Sequence, residues 1–114
     1  MINLKDIVQK LGLKVVAGNI DREISGGYSS DLLSDVIANA QKDNIWITLQ
    51  IHVNIVAVAN LQELAGIILV NGRQPEEATL KKAEQENIPL LLTELSTFEI
   101  VGKLYELGIH GNKS

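Results

Sequence analysis

Residues 44–72 read NIWITLQIHVNIVAVANLQELAGIILVNG, and the change of hydrophobic period along this stretch decides the fold. "NIWITLQ" is short, apolar and rich in β-formers, which predicts a strand. "HVNIVAVANLQELA" places Val53, Val56, Ala57, Asn60, Leu61 and Leu64 at helical spacing. "GIILVNG" is a near-continuous apolar run closed by Asn-Gly, the pattern of a strand buried on both faces. The same alternation continues downstream. "QPEEATLKKAEQENI" predicts a helix with Pro75 early, Glu76 and Glu77 near its positive end, and Lys81 and Lys82 later. "IPLLLTE" predicts another buried strand. "STFEIVGKLYELGI" predicts a last helix capped by Ser96, with Glu99 at capping-box spacing and Gly108 as its stop. Strands of about five residues alternating with helices of ten or more imply right-handed crossovers and parallel pairing. The expected fold is a three-layer α/β/α domain with a mostly parallel sheet.

Upstream, "NLKDIVQKLG" puts Leu4, Ile7, Val8 and Leu11 on one helical face, with Asn3 as cap and Gly12 as stop. "LKVVAG" predicts a short strand ending at Gly18, and "NIDREISGG" a short strand near an edge around Ile20 and Ile24. Leu32, Leu33, Val36, Ile37 and Ala40 mark an amphipathic helix over Asp31 to Gln41. One domain over residues 1–109 is expected, followed by a frayed tail over 110–114.

With 114 residues the chain is long enough for one core without staples. Its formal net charge is −4, and its ten Lys and Arg residues are scattered from Lys5 to Lys113. No basic stripe is available to track a phosphate backbone, so nucleic acid is not an expected partner. The absence of cysteine removes disulfides, thiolate zinc sites and cysteine nucleophiles together. The first residues, "MINLKDIVQKLGLKVV", carry charges through what would be the apolar core of a signal peptide. No apolar run is long enough to span a membrane. A cytoplasmic protein without a membrane partner is the expectation.

In an open parallel sheet, ligands bind beyond the carboxyl ends of the strands. The expected strand-to-helix loops collect Ser25, Gly26, Gly27, Tyr28, Ser29, Ser30 and Asp31; Gln50, His52 and Asn54; Asn71, Gly72, Arg73 and Gln74; and Thr93, Glu94, Ser96 and Thr97. "SGGYSSD" at residues 25–31 has two readings. Its glycines can free backbone N–H groups to cradle an anion at a helix N-terminus, with the serines adding hydroxyls. Alternatively, Gly26-Gly27 form a turn and Ser30 or Asp31 caps the following helix. A Walker-type phosphate loop is excluded, because its glycines are spaced and followed by Lys-Ser/Thr, whereas no Lys lies between Lys14 and Lys42. No dinucleotide fingerprint is present either.

His52 has the chemistry of a general base, but the plainer reading is a polar loop residue at a helix start, with Asn54 capping. His110 lies in the tail. Asp31 and Asp35, at i and i+4, are too few for a hard-cation site, and no metal is expected. Trp46 is expected to pack in the sheet. Tyr28, among small loop residues, could stack on a ligand or anchor a partner subunit.

"DREISGG" at Asp21–Gly27 followed by "YSSDLLSDVIANA" resembles the signature of the DRTGG domain family. The likeness continues through "NIWITLQIHVNIVAVA", "LAGIILVNGRQP" and "IPLLLTELSTFEIVGKLYELG", from about Asn3 to Ile109. At the name-giving motif this chain departs: Glu23, Ile24 and Ser25 separate Arg22 from the glycines where the family string has one Thr, and Ser25 supplies the hydroxyl instead. The resemblance implies a fold similar to the N-terminal domain of HPr kinase/phosphorylase, whose phosphate loop belongs to another domain. It also implies a regulatory or dimerising role beside larger enzymes.

The combined expectation is a non-catalytic regulatory module that self-associates and binds a small anionic or nucleotide-like ligand. Its expected contacts are Ser25, Gly26, Gly27, Tyr28, Ser29, Ser30, Asp31, Gln50, His52, Asn54 and Thr93, and no cofactor is specified. The alternative is a purely structural homodimer, or a docking partner of a larger enzyme, without a ligand. A small enzyme using His52 with a loop serine or Asp31 is the weakest reading, since no nucleophile, base and orienter assemble from the spacing.

Overall fold

The computed structural model describes residues 2–112. Two short strands open the chain's pairing: β1 (Ile2–Asn3) and β3 (Glu23–Ile24) form an antiparallel two-stranded ribbon. The main sheet contains β2 (Lys14–Ala17), β4 (Gly26–Ser29), β5 (Asn44–Thr48), β6 (Gly66–Leu69) and β7 (Leu90–Leu92) in the order β2-β7-β6-β5-β4. Strands β4 to β7 are mutually parallel, and β2 joins β7 antiparallel with an irregularity between Val15 and Ala17. The helices are α1 (Leu4–Leu11), α2 (Leu33–Asn39), α3 (Asn54–Leu61), α4 (Glu77–Gln85) and α5 (Thr97–Glu106).

Side-chain alternation along the central strands divides the core in two. Trp46, Ile67, Leu69, Leu90 and Leu92 point to one face and pack with Val36 and Ala40 of the α2 region, Ile55, Val56, Val58 and Ala59 of α3, and Ala83 of α4. Ile45, Ile47, Ile68, Val70 and Leu91 point to the other and pack with Leu4 and Ile7 of α1 and Ile100 and Leu104 of α5. Every residue of β5, β6 and β7 is buried. The chain is therefore the three-layer α/β/α fold with a mostly parallel sheet that the sequence predicts. Among the described residues, no helix is long and apolar enough to cross a membrane.

The caps of α1 and α5 follow their sequence. Asn3 accepts from the N–H of Lys5 at 2.9 Å and Gly12 closes α1, while Ser96 accepts from the N–H of Glu99 at 3.3 Å. The face of α3 differs from its predicted one: Ala57, Asn60 and Leu61 are exposed. The helix lies between α2 and α4, so two adjacent stripes of it are covered, and its nearly uniform apolarity conceals which.

The largest departure concerns "SGGYSSD". Gly26–Ser29 is neither a turn nor a loop but the edge strand β4 itself. The true loop into α2 is three residues long, and α2 starts at Leu33 with Leu32 as an N-cap that offers no side-chain bond. Neither Ser30 nor Asp31 caps it. The glycines answer a packing need instead: a Cβ on Gly26 would lie 2.9 Å from the carbonyl oxygen of His110, and one on Gly27 3.3 Å from Ile109. The C-terminal segment crosses β4 at this point, and the N–H of Gly27 donates to the His110 carbonyl at 2.9 Å.

The tail is accordingly tied down rather than frayed over residues 110–112; 113 and 114 lie outside the described residues. Asn44, fully buried at the start of β5, is the fastening. Its amide and that of Asn112 bond each other reciprocally at 3.1 and 2.8 Å. Asn44 also donates to the Ser25 hydroxyl at 3.2 Å and accepts from the N–H of Gln41 at 2.9 Å. Replacing it with an apolar residue strips partners from several half-buried groups at once, each costing about 1–3 kcal/mol when left unsatisfied. Asn44→Leu is expected to lower the melting midpoint by roughly 10 °C and to speed exchange of the Gly27 amide proton; unchanged exchange at Gly27 would mean the tail is held by something else.

Candidate functional site

Parallel pairing of β4 to β7 gives the sheet one carboxyl rim and one amino rim. The expected site residues divide between them. Ser25, Gly26 and Gly27 lie at the amino rim, level with Asn44, where the Ser25 hydroxyl donates to the Lys42 carbonyl at 2.7 Å. Ser29, Ser30 and Asp31 lie at the carboxyl rim with Gln50, His52, Asn54 and Thr93. One strand length separates the two groups, so the "SGGYSSD" string does not form a single cradle.

Several of the rim residues are committed to holding the strands. The Asp31 carboxylate accepts from the Thr48 hydroxyl at 2.9 Å and the Leu49 N–H at 2.7 Å, fastening the β4 loop to the end of β5. Gln50 donates back to the Asp31 carbonyl at 2.8 Å, and the indole N–H of Trp46 donates to the Ser30 carbonyl at 2.8 Å. Asn54 is the first residue of α3, and Val53 precedes it as a cap without a side-chain bond. His52 is exposed, its imidazole 3.8 Å from the Glu76 carboxylate. Among the described residues it has no hydrogen bond to a serine or threonine hydroxyl. No group of three or more metal-ligating side chains is gathered among those residues either.

Tyr28 does not face a ligand loop. Its hydroxyl donates to the Asp35 carboxylate at 2.8–2.9 Å, and Asn39 donates to the same group at 2.8 Å. Hydrogen bonding from Ser30, Tyr28 and Asn39 holds the Asp35 carboxyl below the ordinary aspartate range. The same bond to Asp35, with partial desolvation and the nearby negative charge, raises the Tyr28 phenol above its usual value.

The signature residues Asp21 and Arg22 also serve the fold. Asp21 accepts from the Asn3 side chain at 3.0 Å and lies 3.6 Å from the Lys5 ammonium, while the Arg22 guanidinium donates to the Leu64 carbonyl at 3.3 Å. The amino-rim cleft that Arg22 lines, about 320 Å³, sets Arg22 and Lys42 against Asp43, Glu63 and Glu86, an unfavourable balance for an anion. The cavity beside Gly27, Tyr28 and Ser29 is about 150 Å³ and walled by Ile47, Leu104 and Ile109. That is below the roughly 300 Å³ at which small-molecule pockets begin.

A crevice larger than these two opens at the carboxyl rim over the end of β7, between the start of β2 and the loop that follows β6. It measures about 410 Å³ and is lined by Leu11, Gly12, Lys14, Gly72, Gln74, Leu92, Thr93, Glu94 and Leu95. Its position follows from topology. After β6 the chain enters α4 on one face of the sheet, and after β7 it enters α5 on the other. Diverging connections leave a gap, and such switch points are where open α/β sheets bind ligands. The two loops are pinned to each other at its base: the N–H of Asn71 donates to the Leu95 carbonyl at 2.9 Å and that of Gly72 to the Thr93 carbonyl at 3.0 Å. Gly72 has φ +67°, and a Cβ there would collide with the Glu94 carboxylate lying over it.

Thr93 is the one expected site residue in this crevice. Gly72, Gln74 and Glu94 are legible as loop residues, whereas Lys14 is not. It starts β2, and only the antiparallel placement of β2 beside β7, opposite Leu92, brings it to the carboxyl rim. Strand order leaves no mark in a single sequence.

An α/β/α module with a switch-point crevice is thus the class of protein that fold and site define. A family model described as the DRTGG domain matches residues 6–107, and the chain belongs to that family. Among solved structures, it is similar to the CBS and DRTGG domains of the regulatory region of Clostridium perfringens pyrophosphatase complexed with the activator diadenosine tetraphosphate. That match has a TM-score of 0.72 at 16% identity and covers 88% of this chain; this chain spans 44% of that one. At this identity the likeness speaks for the fold. No curated protein matches the chain.

The Asp35 cluster gives a prediction with a definite sign. Its folded pKa lies below the unfolded value of about 3.9, so its contribution to stability is complete above that pH and is lost as pH falls through the folded value. The stability advantage of wild type over Asp35→Asn in urea titrations is expected to be constant near neutrality and to shrink below about pH 3.9. A gap that widens on acidification would contradict the assignment.

Proposed function

We propose that this chain is a non-catalytic regulatory module that binds a small anionic or nucleotide-like ligand at the carboxyl rim, self-associates, and acts in the cytoplasm beside a larger enzyme. The crevice over the end of β7 carries the reading. It is an open, mixed polar and apolar cleft with pinned loops, and the residues around it include no nucleophile hydrogen-bonded to a base. The similar pyrophosphatase region is described as regulatory and as complexed with an activator, which supports the same role for a family member of this fold. Of the expected contacts, Thr93 belongs to the crevice, with Gln50 and His52 on the adjoining loop.

A purely structural homodimer is the second reading, and one observation favours its self-association component. On α5, Phe98, Val101 and Tyr105 are spaced i, i+3 and i+7, and all three are exposed, Phe98 by 86%. They flank Gly102, beyond whose missing Cβ nothing lies within 4 Å. Both sheet edges are poor alternatives: the tail occupies β4 at Gly27, and β2 carries an irregularity and Lys14. The second copy is therefore assigned to the α5 stripe.

Light scattering with a thermal-shift panel of nucleotides and phosphorylated metabolites tests both components. Wild type is expected to show a dimer mass that Phe98→Glu reduces to a monomer while leaving the circular dichroism spectrum intact. At least one phosphorylated ligand is expected to raise the melting midpoint in both proteins. A monomeric wild type would remove self-association, and a panel without any shift would remove the ligand and leave the structural reading.

A further inference from the structure

The segment that follows α5 lies on the outer edge of β4 in the manner of a bound peptide, and three contacts seat it. Ile109 is buried, and a Cβ on Gly27 would lie 3.3 Å from its Cγ2. The His110 carbonyl accepts from the outward N–H of Gly27 at 2.9 Å, as the backbone of an added strand does. The Asn112 amide meets the buried Asn44 amide in two bonds, of 3.1 and 2.8 Å. Between these anchors His110 and Gly111 are exposed. The seat therefore reads an extended backbone, an apolar side chain and a carboxamide three residues further on.

Its resident fills it incompletely. A cavity of about 150 Å³ stays open beside Ile109, walled by Ile47, Val101, Leu104 and Tyr105. The strand pairing also stops short. The N–H of Ser30 returns to the sheet, on the Ile47 carbonyl at 3.2 Å, so that of Ser29 points outward as Gly27's does. No described residue outside the sheet accepts from it. Cavity walls without neighbours forgo dispersion contacts, and unused groups on a sheet edge are a template for another chain.

We infer that the β4 edge is the acceptor for an extended segment of a partner protein, and that Ile109–Asn112 is the placeholder this segment displaces. The segment carries a side chain bulkier than Ile where Ile109 sits, and an asparagine three residues on. This is strand addition, in which main-chain bonds supply affinity and side-chain pockets supply specificity. Gly26 is the floor of the seat, since a Cβ there would lie 2.9 Å from the His110 carbonyl and would meet any backbone laid along it. The placeholder is tethered, so the incoming segment competes with a local concentration of order millimolar. The inference rests on the reading above only in taking a second protein to stand beside the chain; it needs neither the rim ligand nor the dimer.

Fluorescence anisotropy tests it with a labelled peptide of residues Glu106–Asn112, and with versions carrying Ile109→Phe alone or together with Asn112→Ala. The receptors are the full chain as wild type, Asn112→Ala and Gly26→Ala, with circular dichroism verifying that each folds. Asn112→Ala loosens the resident, so the Ile109→Phe peptide is expected to bind it about 10-fold more tightly than it binds wild type. On that receptor, removing the peptide's asparagine is expected to cost about 10-fold, and restoring Ile for Phe about 5-fold. Gly26→Ala is expected to bind at least roughly 10-fold more weakly than Asn112→Ala. No binding by Asn112→Ala, or equal binding by Gly26→Ala, would overturn the seat. Should Gly26→Ala fail to fold, indifference to the peptide's asparagine overturns it alone. Equal affinity for the Ile and Phe peptides would make the same segment of a second copy the occupant and overturn the partner-protein assignment. Light-scattering mass and ligand-induced melting shifts report on the earlier reading independently of these affinities.

Discussion

The structure depends on one constraint: β5, β6 and β7 are buried on both faces. Strands of that kind need a helical layer on each side, because their backbone bonds are satisfied in the sheet while their side chains leave no polar face for water. The sequential order β4-β5-β6-β7 then fixes which helices go where. Right-handed crossovers in one direction put α2, α3 and α4 on the same face. The opposite face can be covered only by segments outside those crossovers, and α1 and α5 do so. The chain leaving β7 must therefore turn away from the chain leaving β6. The crevice is a consequence of covering the second face, and its side chains are what a ligand would read.

Much of this was legible in the amino-acid sequence. The period changes between Asn44 and Gly108 located three strands and three helices, and Asn3 and Ser96 announced caps that are present. The layers followed from the alternation of β and α segments. What stayed hidden was non-local. No local signal says that β2 runs antiparallel beside β7, so Lys14 could not be assigned to the rim. The exposed stripe on α5 looks like a second core face in sequence, since Phe98, Val101 and Tyr105 are as apolar as the buried Ile100 and Leu104.

The glycine pair shows the same limit from another direction. Gly-Gly before a helix reads locally as a turn or an anion cradle, and both readings assume that the residue's neighbours in sequence explain it. Here the explanation is 84 residues downstream, where the carbonyl of His110 comes within 2.9 Å of the space a Cβ would fill at Gly26. The signature segment around Asp21–Gly27 bonds to Asn3, Leu64, Lys42, Asn44 and His110. It fastens the two ends of the chain to the sheet, which is a sufficient physical reason for these residues to stand together.

The most direct test of this division of labour is residue-level mapping of binding by ¹H–¹⁵N NMR, titrating the uniformly labelled chain with ADP. Shift changes centred on Lys14, Gly72, Gln74, Thr93 and Glu94, with Gly26 and Gly27 unmoved, are the predicted result. Changes centred on Gly26 to Ser30 would contradict it, returning the glycine string to the role of ligand cradle and the crevice to a gap between diverging helices.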